Sequence, residues 1–314
     1  MKSVTMYPKI KRLLLALVIT IALLSVIPSI AGKTVLMDLV LILFYMAAAQ
    51  WWNFMSFHAG MVFLAPQMFM AIGAYTTIVS MLYYDIPFWG AFLLSGGISV
   101  LIAAGLSVPL LRMKGMYFAI GSIIAGELFS KVFSVWDYVG GGAGMTLPSR
   151  LSLPLPVLYY WALSLALIST IAVYIVYRSK IGYALRAIGS DELAATEFGI
   201  NVFTFRTLCF ILSALFLGFS GSIYIQYTSY IDPFVGFSVL WSITIIFISF
   251  VGAHGRIFGP ILGSIISVQL TSFTTGFAGL TQLIQGIAIL IIIFLFPDGV
   301  WGWVSKKLKI PVPF

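Results

Sequence analysis

Long stretches without a single formal charge dominate this chain and leave it few structural options. Neither Asp, Glu, Lys nor Arg occurs in 39–84, 86–111, 151–177, 207–231, 233–255 or 257–297. A run of roughly 20 mostly apolar residues is what a helix needs to cross a bilayer. With 61% hydrophobic and 8% charged residues, the chain cannot build the charged shell of a water-soluble domain. It carries far too much apolar surface for a disordered one. Cys209 is the only cysteine, which rules out an internal disulfide or a cysteine-based metal cluster.

Gaps between charges and turn residues delimit about ten candidate spans of bilayer length. They lie near 13–31, 36–57, 61–83, 87–110, 115–135, 155–177, 203–228, 237–253, 258–275 and 282–304. The expected fold is therefore all-α: a polytopic transmembrane helical bundle forming a single transmembrane domain over 1–314, with both termini cytoplasmic. The charges favour that orientation. It puts the basic residues inside, leaving only Lys33, Lys131 and Arg150 of the 17 outside, as the positive-inside rule demands. The net charge of +8 then reflects membrane orientation and contact with anionic lipid, and no nucleic-acid partner is expected. The first thirty residues also resemble a secretory signal, with a basic start, an apolar run and Ser29-Ile30-Ala31-Gly32. They are read here as a span, whose removal would leave the remaining topology unchanged.

Two short echoes suggest duplication. Gly121-Ser122-Ile123-Ile124 recurs as Gly263-Ser264-Ile265-Ile266, and Asp85-Ile86-Pro87-Phe88 as Asp232-Pro233-Phe234. Internal repeats are common in transporters, and chance matches are common in sequences this biased. Both explanations stay open.

The longest segment expected on the cytoplasmic side, 178–206, holds three of the nine acids, Asp191, Glu192 and Glu197. Ser190 is a suitable N-cap, Asp191 and Glu192 suit a first helical turn, and Gly199 suits the C′ position. So short a helix is marginal alone in water and needs a surface to dock on. It is either a solvated connection or a coupling helix seated on a motor subunit. The longest external segment, 136–156, contains Gly140-Gly141-Gly142 and three prolines; it reads as a gate, a docking face or a plain connection.

Gly182-Tyr183-Ala184-Leu185-Arg186-Ala187-Ile188, Asp191-Glu192, Ala194-Ala195 and Gly199-Ile200-Asn201 together resemble the cytoplasmic loop of branched-chain amino-acid ABC-transporter permeases of the LivM type. Arg112 to Ile120, Gly141 to Gly144 and Ile72-Gly73-Ala74-Tyr75 are similar to further motifs of that family. So are Ala214 to Gly221, Val251-Gly252, Gly259-Pro260 and Pro297-Asp298-Gly299. There are departures: Phe63, Ala65 and Pro66 stand where the family usually has Ser, Gly and His, and Gly121 where Thr is common.

The resemblance implies one membrane subunit of an importer, joined by a second homologous permease, two cytoplasmic ABC ATPases and an extracellular binding protein. This chain would bind no cofactor and hydrolyse no ATP; ATP and Mg would be used by the partners. Its one Gly-Lys-Thr, Gly32-Lys33-Thr34, has Ile27 where a phosphate-cradling loop needs glycine. Coupling residues implied by the resemblance are Arg186, Asp191, Glu192, Ala194, Ala195 and Gly199, with Asp191 or Glu192 pairing basic residues of the ATPase. Gly141, Gly142 and Gly144 are the external gate or docking candidates.

Gln67, Glu127 and Gln269 are the pathway candidates. Glu127 is the one well-embedded carboxylate, expected to face the bundle interior or to pair with Lys131 at i+4. Asn53 and Gln285 read equally well as helix-to-helix glue. His58 and His254 are too isolated for metal ligands. An ion-coupled secondary transporter is the main rival, but it would need more intramembrane ionisable groups. A permease of the same kind for urea or amides is another. No H-E-x-x-H, G-x-S-x-G or paired-acid motif supports a membrane enzyme.

Overall fold

The computed structural model describes residues 27–253, 255–274, 280–295 and 299–302. Its helices are α1 (Lys33–His58), α2 (Pro66–Tyr83), α3 (Phe88–Leu110), α4 (Met116–Val135), α5 (Leu155–Arg178) and α6 (Lys180–Ser190). They continue as α7 (Glu192–Glu197), α8 (Val202–Thr228), α9 (Pro233–Gly236), α10 (Val239–Gly252), α11 (Gly259–Thr274) and α12 (Leu280–Leu295). A two-residue antiparallel ladder joins β1 (Met145–Thr146) to β2 (Tyr230–Ile231), with Met145 opposite Ile231.

Among the described residues, 6 stretches are long and apolar enough to cross a membrane: α1, α3, α4, α5, α8 and Pro233–Gly252, which α9 and α10 form together. α11 is shorter. The expected first span, 13–31, lies almost wholly outside the described residues.

The span expected at 61–83 needs correcting, because the chain is not helical from Gly60 to Ala65 and α2 begins only at Pro66. Irregular backbone at membrane depth survives only where protein satisfies its polar groups. Here Trp52 Nε1–H donates to the Phe63 carbonyl at 2.6 Å, and the Leu64 amide donates to Ser122 Oγ at 3.0 Å. Phe63 is fully buried and packs against Phe69, Phe118 and Phe210. Proline suits the first helical turn because its missing N–H has no partner there anyway.

α2 is the axis of the bundle, and nearly all its side chains are buried. Surrounded by protein rather than lipid, it can carry Gln67, Thr76, Thr77 and Ser80. Its approach to α8 is set by glycine: a Cβ on Gly73 would overlap the Gly218 carbonyl, and one on Gly221 would overlap the Met70 carbonyl. Small residues allow backbones this close, and dispersion and interhelical hydrogen bonds then hold helices together without a hydrophobic driving force. A hydroxyl chain completes the contact. Thr77 Oγ1 and Ser222 Oγ lie 2.6 Å apart, and Ser222 Oγ donates to Ser95 Oγ at 2.6 Å, tying α2, α8 and α3 together. The Gly-Ser-Ile-Ile echoes fall on α4 and α11, where Ser122 and Ser264 are both buried and bond the carbonyl three residues back.

One end of the bundle gathers the basic loops. Gly189 packs on the His58 carbonyl beside Gly60, and Arg206 closes a small cavity with Gly60, Met61, Leu111, Met113, Gly115 and Phe118. The opposite end carries the segment after α4, pinned by the β1–β2 ladder and by the Leu147 amide donating to the Ser229 carbonyl at 2.8 Å.

Candidate functional site

At the basic end, α5 turns into α6 through Ser179, whose hydroxyl accepts from the Gly182 amide. Gly182, Leu185 and Ile188 recur at three-residue spacing and form, with Ala184, the buried face of α6. Arg186 is held rather than free: its guanidinium lies 4.0 Å from the Tyr177 ring centroid and 4.7 Å from that of Tyr183.

The N-cap expected at Ser190 lies one residue further on. Ser190 ends α6 and bonds the Arg186 carbonyl, while Asp191 Oδ1 accepts from the Leu193 and Ala194 amides at 2.9 and 3.1 Å. A carboxylate bonds both open N–H groups and meets the positive end of the helix dipole, so it caps better than the hydroxyl before it. Gly199 does end the turn, at φ +78, with the Ile200 amide returning to the Ala195 carbonyl. Ala195 is buried toward the chain's own bundle and Ala194 is half-buried.

Neither acid expected to reach a partner is free. Asp191 is occupied by its cap, and Glu192 makes two ion pairs, with Arg206 at 2.9 Å and Lys114 at 3.5 Å. The turn also presents large apolar side chains outward, Leu193 at 75% exposure and Phe198 at 86%, alongside exposed Thr196 and Glu197, and Tyr183 of α6 is 65% exposed. Leu193 and Phe198 belong to none of the motifs that mark the coupling residues in the sequence. Their signal is that they are the two large apolar side chains among the small and polar residues of 191–199, and exposed apolar clusters mark interaction surfaces.

The three pathway candidates are not brought together. Gln67 is buried at the start of α2, where Oε1 accepts from Ser242 Oγ of α10 and Nε2 approaches Gly126 of α4. Gln269 is exposed on α11. Glu127, expected to face inward, points outward beside Ile124 and Leu128. The reason is packing: Ser122, Ala125, Gly126, Ser130 and Phe133 form the inner stripe of α4, four of them small residues that admit neighbouring backbone. Nor does Lys131 pair with Glu127; its ammonium lies 5.9 Å from the Phe234 ring centroid.

At the opposite end, Gly140, Gly141 and Gly144 all have positive φ. A Cβ on Gly144 would overlap the Ile231 carbonyl, so glycine there lets the segment pair with β2. Gly141 is buried and Gly142 exposed. Tyr138 bonds the Tyr84 hydroxyl at 3.1 Å, which holds its proton and raises its pKa. A nearby cavity of about 360 Å³ is lined by Tyr45, Phe234, Trp241, Thr244, Thr271 and Gln285 among others, amphipathic in the manner of small-solute sites. No pathway candidate lines it. His58 stacks on Phe54 and meets Tyr177 edge-on; His254 lies outside the described residues. Asn53 bonds the Arg256 carbonyl and the Gly255 amide, and Gln50 the Ile257 carbonyl, so these amides tie α1 to the turn before α11.

A helical bundle of this apolarity, with its interhelical glycine contacts, defines a multi-pass membrane protein. Residues 34–296 match the model of the branched-chain amino acid transport system / permease component family, and the chain belongs to that family. It is 26% identical to the high-affinity branched-chain amino acid transport system permease protein LivM of Salmonella typhimurium and 25% identical to that of Escherichia coli. Each match covers 80% of this chain and 66% of the relative, so the chain spans just under two thirds of those relatives' length. A ribose import permease protein of Haemophilus influenzae is 25% identical, over 70% of this chain and 65% of its own. No solved structure gives a significant match.

Proposed function

We propose that the chain is the membrane-spanning permease subunit of an ATP-driven importer for branched-chain or related amino acids. It has about ten spans with both termini cytoplasmic, and pairs with a second homologous permease. Two cytoplasmic ABC ATPases supply energy, ATP and Mg stay with those subunits, and an extracellular binding protein delivers the solute. The observation that carries this reading is the turn from α6 to α8, which offers Leu193 and Phe198 to the aqueous side. Exposed apolar side chains beside the charged residues of this turn fit a surface that another protein covers.

ATP-driven closure of the motor pair would move this turn and, through it, the bundle. Gly141, Gly142 and Gly144 would shape the external face that receives the binding protein, and Gln67 would lie beside the solute route at the start of α2. Co-purification tests the reading. Phe198→Asp should abolish capture of the ATPase subunits while the permease still inserts, and undiminished capture would sink it.

A second cargo class has specific support. Where the family usually places Ser and Gly, this chain buries Phe63 and Ala65 with no exposed surface, and a relative at similar identity is named a ribose permease. Transport assays with urea, amides and pentoses alongside leucine distinguish the cargoes.

A further inference from the structure

Glu192 stands first in α7, yet its carboxylate turns back on its own chain. One oxygen, Oε2, accepts from Arg206 Nη1 at 2.9 Å, and the other, Oε1, lies 3.5 Å from Lys114 Nζ. Arg206 belongs to the second turn of α8 and its side chain is only 13% exposed; Lys114 belongs to the link between α3 and α4 and is 75% exposed. One side chain thus joins the docking turn to the basic ends of two membrane helices.

We infer that Glu192 is the positioning residue through which movement of the docking turn reaches the bundle, with Arg206 and Lys114 as its two attachments. The inference rests on the reading above, in which Leu193 and Phe198 are held by an ATPase. Leu193 follows Glu192 directly, so displacing one displaces the other. The pair to Arg206 pulls on α8, which is locked to α2 by Gly218 and Gly221. The pair to Lys114 pulls on the start of α4, whose Ser122 holds the non-helical segment before α2. The first attachment therefore reaches α2 at Met70, Gly73 and Ala74, and the second reaches the segment just before it, on either side of Gln67. The two are unequal. A charge-assisted bond in a half-buried setting is short and directional, whereas a largely exposed lysine pair is weak and screened by salt. Arg206 should carry most of the effect and Lys114 a salt-sensitive remainder.

The test uses the whole complex in liposomes, with both permeases, the ATPases and loaded binding protein, and reads solute moved per ATP hydrolysed. Glu192→Gln and Arg206→Met should each lower that ratio about tenfold, with the ATPases still co-purifying. Restoring the pair in reverse, Glu192→Arg with Arg206→Glu, should recover a substantial part of it; a merely structural loss would lower transport and ATP hydrolysis together and leave the ratio unchanged. Lys114→Gln should lower it about threefold, and less at high salt. Wild-type ratios in the single variants, or no recovery in the swapped pair with the complex intact, would overturn the inference. Should the Glu192 and Arg206 variants fail to fold, Lys114→Gln decides, and an unchanged ratio counts against the proposal. Failure of the wild-type chain to retain ATPases would instead remove the functional reading itself.

Discussion

Replacing Glu127 by leucine asks what the outward face of α4 meets. The helix has 20 residues, about 30 Å of rise, and Glu127 lies about 12 Å from its Val135 end. Its neighbours on that face, Ile120, Ile124 and Leu128, are 49%, 63% and 60% exposed, and the carboxylate has no ion pair among the described residues. An acid at the centre of a lipid-facing helix costs about 2.5–3.5 kcal/mol on insertion scales, so slightly off centre the cost is about 2 kcal/mol. Glu127→Leu should therefore raise the unfolding free energy of the isolated subunit in nanodiscs by about 2 kcal/mol, measured by denaturant titration. In the assembled transporter the same change should cut uptake about tenfold, because a group so costly in lipid belongs against water or another subunit. Uptake at the wild-type rate would refute the reasoning. So would a less stable isolated subunit, which would show that the carboxylate already has what it needs within this chain.

Other perturbations probe the supports of the site. Gly221→Val puts side-chain volume onto the Met70 carbonyl and should destabilise the bundle by about 3 kcal/mol, visible as a lower melting temperature. Gly199→Val meets no atom within 4 Å but must hold φ +78, so its cost of about 1–2 kcal/mol is purely backbone strain. Faster amide exchange across 192–200 would report it, and Gly199→Asn should be milder. Asp191→Ala removes both cap bonds and should loosen the same turn by about 1 kcal/mol, again read by exchange. Trp52→Phe deletes the bond to the Phe63 carbonyl and leaves that buried oxygen unpaired, costing about 1–3 kcal/mol and lowering thermal stability.

Much of this was legible in the chain. Helix ends at 110, 135 and 228 coincide with the expected ones, because charges and turn residues are excluded from lipid and so mark where each span stops. Gly199 was legible as a helix terminator, since a positive φ favours glycine over any side chain. The cap was missed by one residue, because Ser190 and Asp191 are both good caps and only the fold shows which amides stand open.

What the sequence determined by itself is the solvent, the approximate spans and the basic character of one end of the bundle. Lipid enforces these locally, segment by segment, on backbone and charge alike. The tertiary structure decided which side of each helix faces inward. A span apolar all round carries almost no amphipathic signal, so the inward face is chosen by where small residues let backbones meet. That choice turned Glu127 outward and made α2 the axis. It also spent the Glu192 carboxylate on Arg206 and Lys114, leaving Leu193 and Phe198 to meet whatever docks there.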